Sequence, residues 1–351
     1  MRFIHLADVH LGAQPDLGYP WSRKREEQIW ESFRRVIAEA AEEKTDLLII
    51  AGDLFHRQPL MRELKEVNYL FSTIPDTCVV LTAGNHDYLK KDSAYLRFVW
   101  GGNVTGLWNE SCSAVYLPRI STWVYGCSYH QREIRENLYR DIRPNGKDGF
   151  HILIGHGGDA SHSPLDVRKL QTAGFDYVAL GHIHKPQILA ENRVAFSGAL
   201  EPIDRNDIGE HGFIRGSCGK NGTRISFVPF AACSYVPLDL KVTDEDTQFS
   251  VEQEVRKQIA RRGTENIYKL KLIGERSPEV RFAMDRLAGL GQVIEAEDQT
   301  RPGYNIKGLQ ERYAGSLIGE YIRLYADAAD EVERLAFDYG LEALLEAEDA
   351  L

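Results

Sequence analysis

Between residues 2 and 82 of this 351-residue chain, three short apolar runs (2–7, 46–51 and 77–82) alternate with two stretches of helical periodicity (near 24–43 and 60–73). Strands separated by helices cannot pair as tight hairpins, and right-handed crossovers return each strand to its neighbour. The pattern therefore predicts βαβ units, a largely parallel sheet and helices on its faces. Further strands are expected at 113–117, 122–126, 150–155 and 176–180. After residue 184 shorter alternating runs (187–190, 194–197, 212–217 and 224–229) read as hairpins. The economical architecture is α/β, a two-sheet β-sandwich flanked by helices.

The pattern changes near 231–237, so residues 1–236 are expected to form the main domain. Residues 237–299 read as a small α+β unit, with helices at 250–261 and 278–289 and strands at 267–273 and 291–296. Thr300-Arg301-Pro302-Gly303 marks a linker by its breakers, and residues 300–351 form a helical segment. Its two patterns are 308–326 and 328–348. Tyr313, Leu317, Tyr321, Leu324 and Tyr325 share one stripe, Val332, Leu335, Ala336 and Tyr339 the next, and Gly340 stands where it could interrupt the last helix.

The formal charge of −10 looks unfavourable for nucleic acid until it is mapped along the chain. Residues 327–351 carry nine acids against the single base Arg334, which leaves the remainder nearly neutral. A phosphate-bearing polymer is therefore not excluded as substrate. The five cysteines are widely spaced and form no Cys-x-x-Cys pair, so neither a disulfide framework nor a zinc ribbon is expected. No run approaches the roughly 18 apolar residues of a membrane span, and the N-terminus has no signal-peptide pattern, so a cytoplasmic protein is expected.

Five motifs gather metal-binding side chains: Asp8-Val9-His10, Gly52-Asp53-Leu54-Phe55-His56, Gly84-Asn85-His86-Asp87, His156 and Gly181-His182-Ile183-His184. They hold six of the eleven histidines, and four of the five directly follow an apolar run. Loops beyond the carboxyl ends of strands in an open α/β sheet converge on one edge. In Asp8-x-His10 and His182-x-His184 an extended backbone would point both side chains one way, and glycines at 52, 84 and 181 would let the chain turn sharply. Two carboxylates, an amide and several imidazoles are a ligand set for two adjacent divalent cations, with mixed O and N ligation suited to manganese, iron or zinc. Such a pair about 3.5–4 Å apart activates water and stabilises charge on phosphoryl oxygens. With only two carboxylates the loaded site stays cationic and attracts a phosphodiester.

This ordered set resembles the calcineurin-like metallophosphoesterase superfamily over roughly residues 1–230. The resemblance implies that Asp8, His10, Asp53 and His184 hold one metal and that Asp53, Asn85, His156 and His182 hold the other. His86 then projects toward substrate as a general acid for the leaving oxygen, and Asp87 fixes its orientation. The second motif, with His5-Leu6-Ala7-Asp8-Val9-His10-Leu11-Gly12 and Ser197-Gly198-Ala199-Leu200-Glu201-Pro202, resembles the SbcD-type DNA repair exonucleases, including the YhaO-like group. That branch implies manganese, DNA as substrate, a capping domain at 237–299, and an SbcC-like ATPase bound through helices after it. His56 either contacts the scissile phosphate or supports a ligand. The C-terminal helices are a partner contact, a homodimer contact or packing for their own domain.

Lys90, Lys91 and Lys185 lie beside the metal loops and are candidates for the DNA backbone; Arg23, Lys24, Arg25, Arg261 and Arg262 are further available bases. The expected function is a manganese-dependent DNA exonuclease with single-strand endonuclease activity. The alternatives are a phosphodiesterase or phosphatase acting on a small nucleotide or phosphoprotein, and a DNA-end-binding scaffold that recruits an ATPase.

Overall fold

A computed structural model describes residues 1–325 and 330–349. Two compact units divide the chain, Met1–Tyr235 and Val236–Leu351. The first unit runs β1 (Arg2–Leu6), α1 (Ser22–Glu42), β2 (Leu47–Ala51), α2 (Met61–Ser72), β3 (Cys78–Thr82), α3 (Ala94–Arg97), β4 (Val104–Gly106), β5 (Ser113–Leu117) and β6 (Thr122–Gly126). It continues through β7 (Phe150–His156), α4 (Val167–Gln171), β8 (Tyr177–Gly181), β9 (Gln187–Ala190), β10 (Val194–Phe196), β11 (Gly212–Gly219) and β12 (Gly222–Pro229).

These strands form two six-stranded sheets, ordered β12-β11-β1-β2-β3-β4 and β5-β6-β7-β8-β10-β9. β1 to β4 are mutually parallel, as are β6, β7, β8 and β10, while β11 and β12 add an antiparallel edge. The pleat of β2 explains its unbroken apolar run. Leu47, Ile49 and Ala51 face the second sheet, packing with Val124, Ile152 and Ala179, and Leu48 and Ile50 face helices α1 and α2 through Phe33, Val36, Val67 and Phe71. The mixed α/β sandwich with outer helices is the one the periodicity predicts. The short elements β4, α3 and α4 carry no readable period, being only three to five residues long. All five cysteines are free thiols. No helix among the described residues is long and apolar enough to cross a membrane.

The second unit contains β13 (Tyr235–Val242), α5 (Gln248–Arg262), β14 (Ile267–Arg276), α6 (Met284–Ala288), β15 (Val293–Pro302), α7 (Ile306–Arg312), α8 (Leu317–Leu324) and α9 (Glu331–Asp349). Its core joins Leu238, Val255, Ile259, Leu270, Leu272 and Leu287. Several expectations fail here. Residues 300–303 are not a linker, because Thr300, Arg301 and Pro302 pair with Gly274, Glu275 and Arg276. Pro302 is tolerated as the last residue of an edge strand. The helix expected at 278–289 shrinks to five residues, since the Ala283 amide donates to Gln248 Oε1 on α5.

The single helix expected at 308–326 is broken after Arg312, where Gly315 takes φ +82° and the Ser316 hydroxyl caps α8. That break moves Leu317 and Leu324 off the expected stripe and into solvent, and Tyr313, Ile318, Ile322 and Leu341 form the local core. Residues 326–329, including the start expected for the last helix, lie outside the described residues. α9 runs through Gly340, where a Cβ would overlap the Tyr321 hydroxyl, so that glycine makes room for a ring instead of ending the helix. Phe337, Leu341, Leu344 and Leu345 form its packed side, while Val332 and Tyr339 are exposed. Part of the acidic charge is used internally, since Glu342 pairs with Arg276 and Arg281.

Candidate metal centre

β1, β2, β3, β7 and β8 all end at one edge of the sandwich, and each delivers one motif there. The loops after β1 and β2 run on together beyond the sheet. His10 N–H donates to Asp53 O at 3.0 Å, Leu11 N–H to Leu54 O at 2.9 Å and His56 N–H to Leu11 O at 3.1 Å. The ligand pairs do not converge through an extended backbone, as the alternation suggested. Asp8, His10, Asp53 and His182 have φ of +50°, +52°, +50° and +95°, so left-handed turns, and not a pleat, aim these side chains inward. Of the glycines at 52, 84 and 181, only Gly52 needs positive φ, at +85°. A Cβ at Gly84 would overlap Asp53 and His156, and one at Gly181 would overlap the Ala51 carbonyl, so those two clear space for the ligands.

All seven expected ligands are brought together. His10 Nε2 lies 3.2 Å from His184 Nε2 and 3.9 Å from Asp53 Oδ2. Asp53 Oδ2 is also 3.5 Å from His156 Nε2, and Asn85 Oδ1 stands 2.9 Å from His156 Nε2 and 3.0 Å from His182 Nδ1. Asp8, His10 and His184 thus form one group, Asp53 and His156 with Asn85 and His182 another, and both Asp8 and Asp53 reach across, Asp53 to His10. Asp8 and Asp53 are completely enclosed. Enclosed carboxylates facing imidazole nitrogens, two of them 3.2 Å apart, call for positive charge between them, and this donor set fits a pair of divalent cations.

The protein's own titration answers the same demand. Burial raises Asp8 to about 6 against the pull of His156. Burial would also raise Asp53, but the adjacent His156 and its hydrogen bond hold it well below the usual carboxylate range. His156, despite a burial that disfavours its cation, is lifted to about 9 by Asp53, and His184 to about 9 by Asp207. Burial, followed by neighbouring His156, lowers His182 to about 4.

Around this cluster the structure overturns one expected role, that of Asp87. Asp87 does not orient His86. Its carboxylate accepts the Gly84 and Phe55 amides at 2.8 and 3.1 Å and the Tyr95 hydroxyl at 2.7 Å, which leaves it a support for the turn. His86 is held instead by its Nδ1 against the His56 carbonyl at 3.1 Å and by its amide donating to Asp53 Oδ1 at 2.8 Å. His56 Nδ1 lies 3.3 Å from His10 Nδ1, on the side of that ring away from the cluster, which favours ligand support over phosphate contact.

Lys90, Lys91 and Lys185 are exposed, with Lys90 over the Tyr88 ring at 5.3 Å. Arg23 and Lys24 are exposed too, but Arg25 is buried and pairs with Glu201 at 3.2 Å, so it is lost as a DNA contact. Arg261 and Arg262 are exposed on the second unit. Two residues that sequence reading passed over, Asp159 and Asp207, accept from the outer ring nitrogens of His182 and His184.

The model of the calcineurin-like phosphoesterase family matches residues 1–186, more than half of the chain. The chain belongs to this family. As a calcineurin-like phosphoesterase it is a phosphoester hydrolase, and the matched span carries every expected ligand. Among its relatives, the uncharacterized metallophosphoesterase YhaO of Bacillus subtilis is 30% identical over 233 residues, 61% of this chain and 56% of the relative. The DNA double-strand break repair protein Mre11 of Methanocaldococcus jannaschii is 27% identical over 279 residues, 73% of this chain and 70% of the relative. Mre11 of Archaeoglobus fulgidus is 28% identical over 229 residues, 58% and 51%. The match thus spans little more than half the length of two of these three relatives.

Proposed function

We propose that this phosphoesterase is a two-metal-dependent DNA phosphodiesterase, a manganese-dependent exonuclease with single-strand endonuclease activity, acting in DNA repair or end processing. The observation that carries the reading is the gathering of seven O and N ligands around Asp53 in a chain similar to Mre11 over 73% of its length. Asp8, His10, Asp53 and His184 would hold one cation, and Asp53, Asn85, His156 and His182 the other. When bound, the pair supplies Lewis acidity and an activated water. His86, tethered through Asp53 and the His56 carbonyl, gives a proton to the leaving oxygen. Lys90, Lys91 and Lys185 bind backbone phosphates, so affinity falls with salt. Residues 237–299 cap the DNA, and the helices beyond them contact an SbcC-like ATPase or a second copy of the chain.

The test is digestion of end-labelled duplex and single-stranded DNA beside bis-p-nitrophenyl phosphate, with manganese, magnesium or chelator. Stepwise loss of nucleotides under manganese supports the reading. Cleavage of the small ester with DNA left untouched overturns it in favour of a small-substrate phosphodiesterase.

A further inference from the structure

Each imidazole of the cluster has an outer ring nitrogen, and in this protein each is engaged. His10 faces His56 and His156 Nδ1 faces the Ala51 carbonyl at 2.9 Å, whereas His182 and His184 each meet a carboxylate. Asp159 Oδ2 is 2.7 Å from His182 Nε2, and Asp207 Oδ2 is 3.0 Å from His184 Nδ1. We propose that Asp159 and Asp207 are positioning residues that fix opposite tautomers in His182 and His184, each setting the affinity of one of the two cation sites. This inference rests on the two-cation reading above.

The argument is one of proton counting. An imidazole that holds a metal is neutral, with one N–H and one lone pair, and a carboxylate only accepts. His182 must therefore give its Nε2 proton to Asp159, because a charge-assisted bond outcompetes the amide oxygen of Asn85 at 3.0 Å from Nδ1. That leaves the Nδ1 lone pair facing the cluster. His184 gives its Nδ1 proton to Asp207 and turns the Nε2 lone pair inward, 3.2 Å from His10 Nε2. Two residues of one motif thus bind through different ring nitrogens, a difference that the carboxylates enforce and the motif itself does not.

Both carboxylates are held in place from behind. Asp159 Oδ1 accepts the Ser161 and His162 amides at 2.7 and 3.0 Å, and its Oδ2 is 2.9 Å from His162 Nδ1. Asp207 Oδ2 accepts the Ile203 and Asp204 amides, both at 3.0 Å. The Asp207 side chain is 13% exposed and that of Asp159 46%, so water can replace Asp159 more readily and the Asp207 contact should matter more.

The test is manganese binding to the metal-free full chain by calorimetry, with paramagnetic resonance of free manganese as a second count, on wild type, Asp159→Ala, Asp207→Ala and the two Asn variants. Loss of such an outer partner costs about 10–100-fold in metal affinity. The expected result is two ions in wild type and one of the two weakened by that factor in each Ala variant, more in Asp207→Ala. The Asn variants keep an acceptor without its charge and should fall between, which also preserves the test if an Ala variant does not fold. Nitrogen-15 spectra of the metal-free protein should show the Nε2–H form of His182 mixing with the other tautomer in Asp159→Ala, which a merely structural role would not produce. Two ions at unchanged affinity in every variant would overturn this inference and leave the metal centre standing. A wild type that takes up no ion would overturn the two-cation reading itself.

Discussion

Asp53 stands between the two groups of candidate ligands: it faces His10 and His156 and accepts the amide of His86. Replacing it should remove both cation sites together. Asp53→Ala or His182→Ala is expected to abolish DNA cleavage while the circular dichroism spectrum and its cooperative melt persist. A variant that still cuts would remove that residue from the ligand set. His86→Ala separates binding from chemistry. It should keep two manganese ions by calorimetry and lose about 10²–10⁴-fold in turnover, the usual contribution of a positioned general acid. A wild-type rate would end the leaving-group role. At this scale the sequence could be read wherever a candidate ligand sat in a motif after a strand, since those side chains do gather in one place. It was silent on Asp159 and Asp207, which are single acids in irregular loops with no spacing to mark them. It misled on Asp87, whose neighbour in sequence is His86 but whose partners in space are two amides and a tyrosine.

Elements explain how loops so far apart in sequence hold station. Arg25 on α1 reaches Glu201 and the Pro202 carbonyl, and Ser32 and the Ala232 amide also bond to Glu201. In the same loop the Ala199 amide donates to the His184 carbonyl at 2.9 Å. The enclosed pair therefore clamps helix, loop and ligand. Either Arg25→Ala or Glu201→Ala should cost about 3–5 kcal/mol in urea unfolding by stranding the other charge. Arg25→Met with Glu201→Leu should recover much of that loss, and strictly additive costs would contradict the clamp. A basic residue near a helix start carries no sign of such burial, so Arg25 read as a surface cation.

Between the two sheets, His5 of β1 meets the Tyr177 hydroxyl of β8 at 2.8 Å. Burial lowers its pKa from 6.5 to about 3, so the folded protein keeps it neutral while the unfolded chain protonates first. Its contribution to stability is intact above about pH 6.5 and is lost as pH falls toward 3, by at most about 1.4 kcal/mol per pH unit. Unfolding in chelator at pH 7.5 and 5.0 should show a smaller acid loss in His5→Gln than in wild type. Equal losses would contradict this. The strands and long helices were legible from their periods, whereas α6 and the α7–α8 break were decided by single contacts that no period records.

For the molecule as a whole, the two compact units divide chemistry from its proposed delivery. Every proposed ligand lies within Met1–Tyr235, and that unit has its own cores. A fragment of residues 1–235 is therefore expected to fold cooperatively and hydrolyse bis-p-nitrophenyl phosphate under manganese while losing most of its activity on duplex DNA. Full duplex activity in the fragment would remove the capping role from residues 237–299. The fold of the first unit could be read from the order of its strands, but the partition of charge could not, because Glu342 spends part of the acidic surplus on Arg276 and Arg281.

The four left-handed ligand positions have a consequence for how such a protein can change over time. Positive φ costs most residues with a Cβ about 1–2 kcal/mol; aspartate and histidine tolerate it better than most, and glycine escapes it. At Asp8, His10, Asp53 and His182, glycine would relax the backbone and erase a ligand in the same step. Selection for heat tolerance should accordingly leave these four sites untouched and accumulate its gains in helices and surface loops, including other left-handed positions such as Lys44 and Ser121 where glycine would erase no candidate ligand.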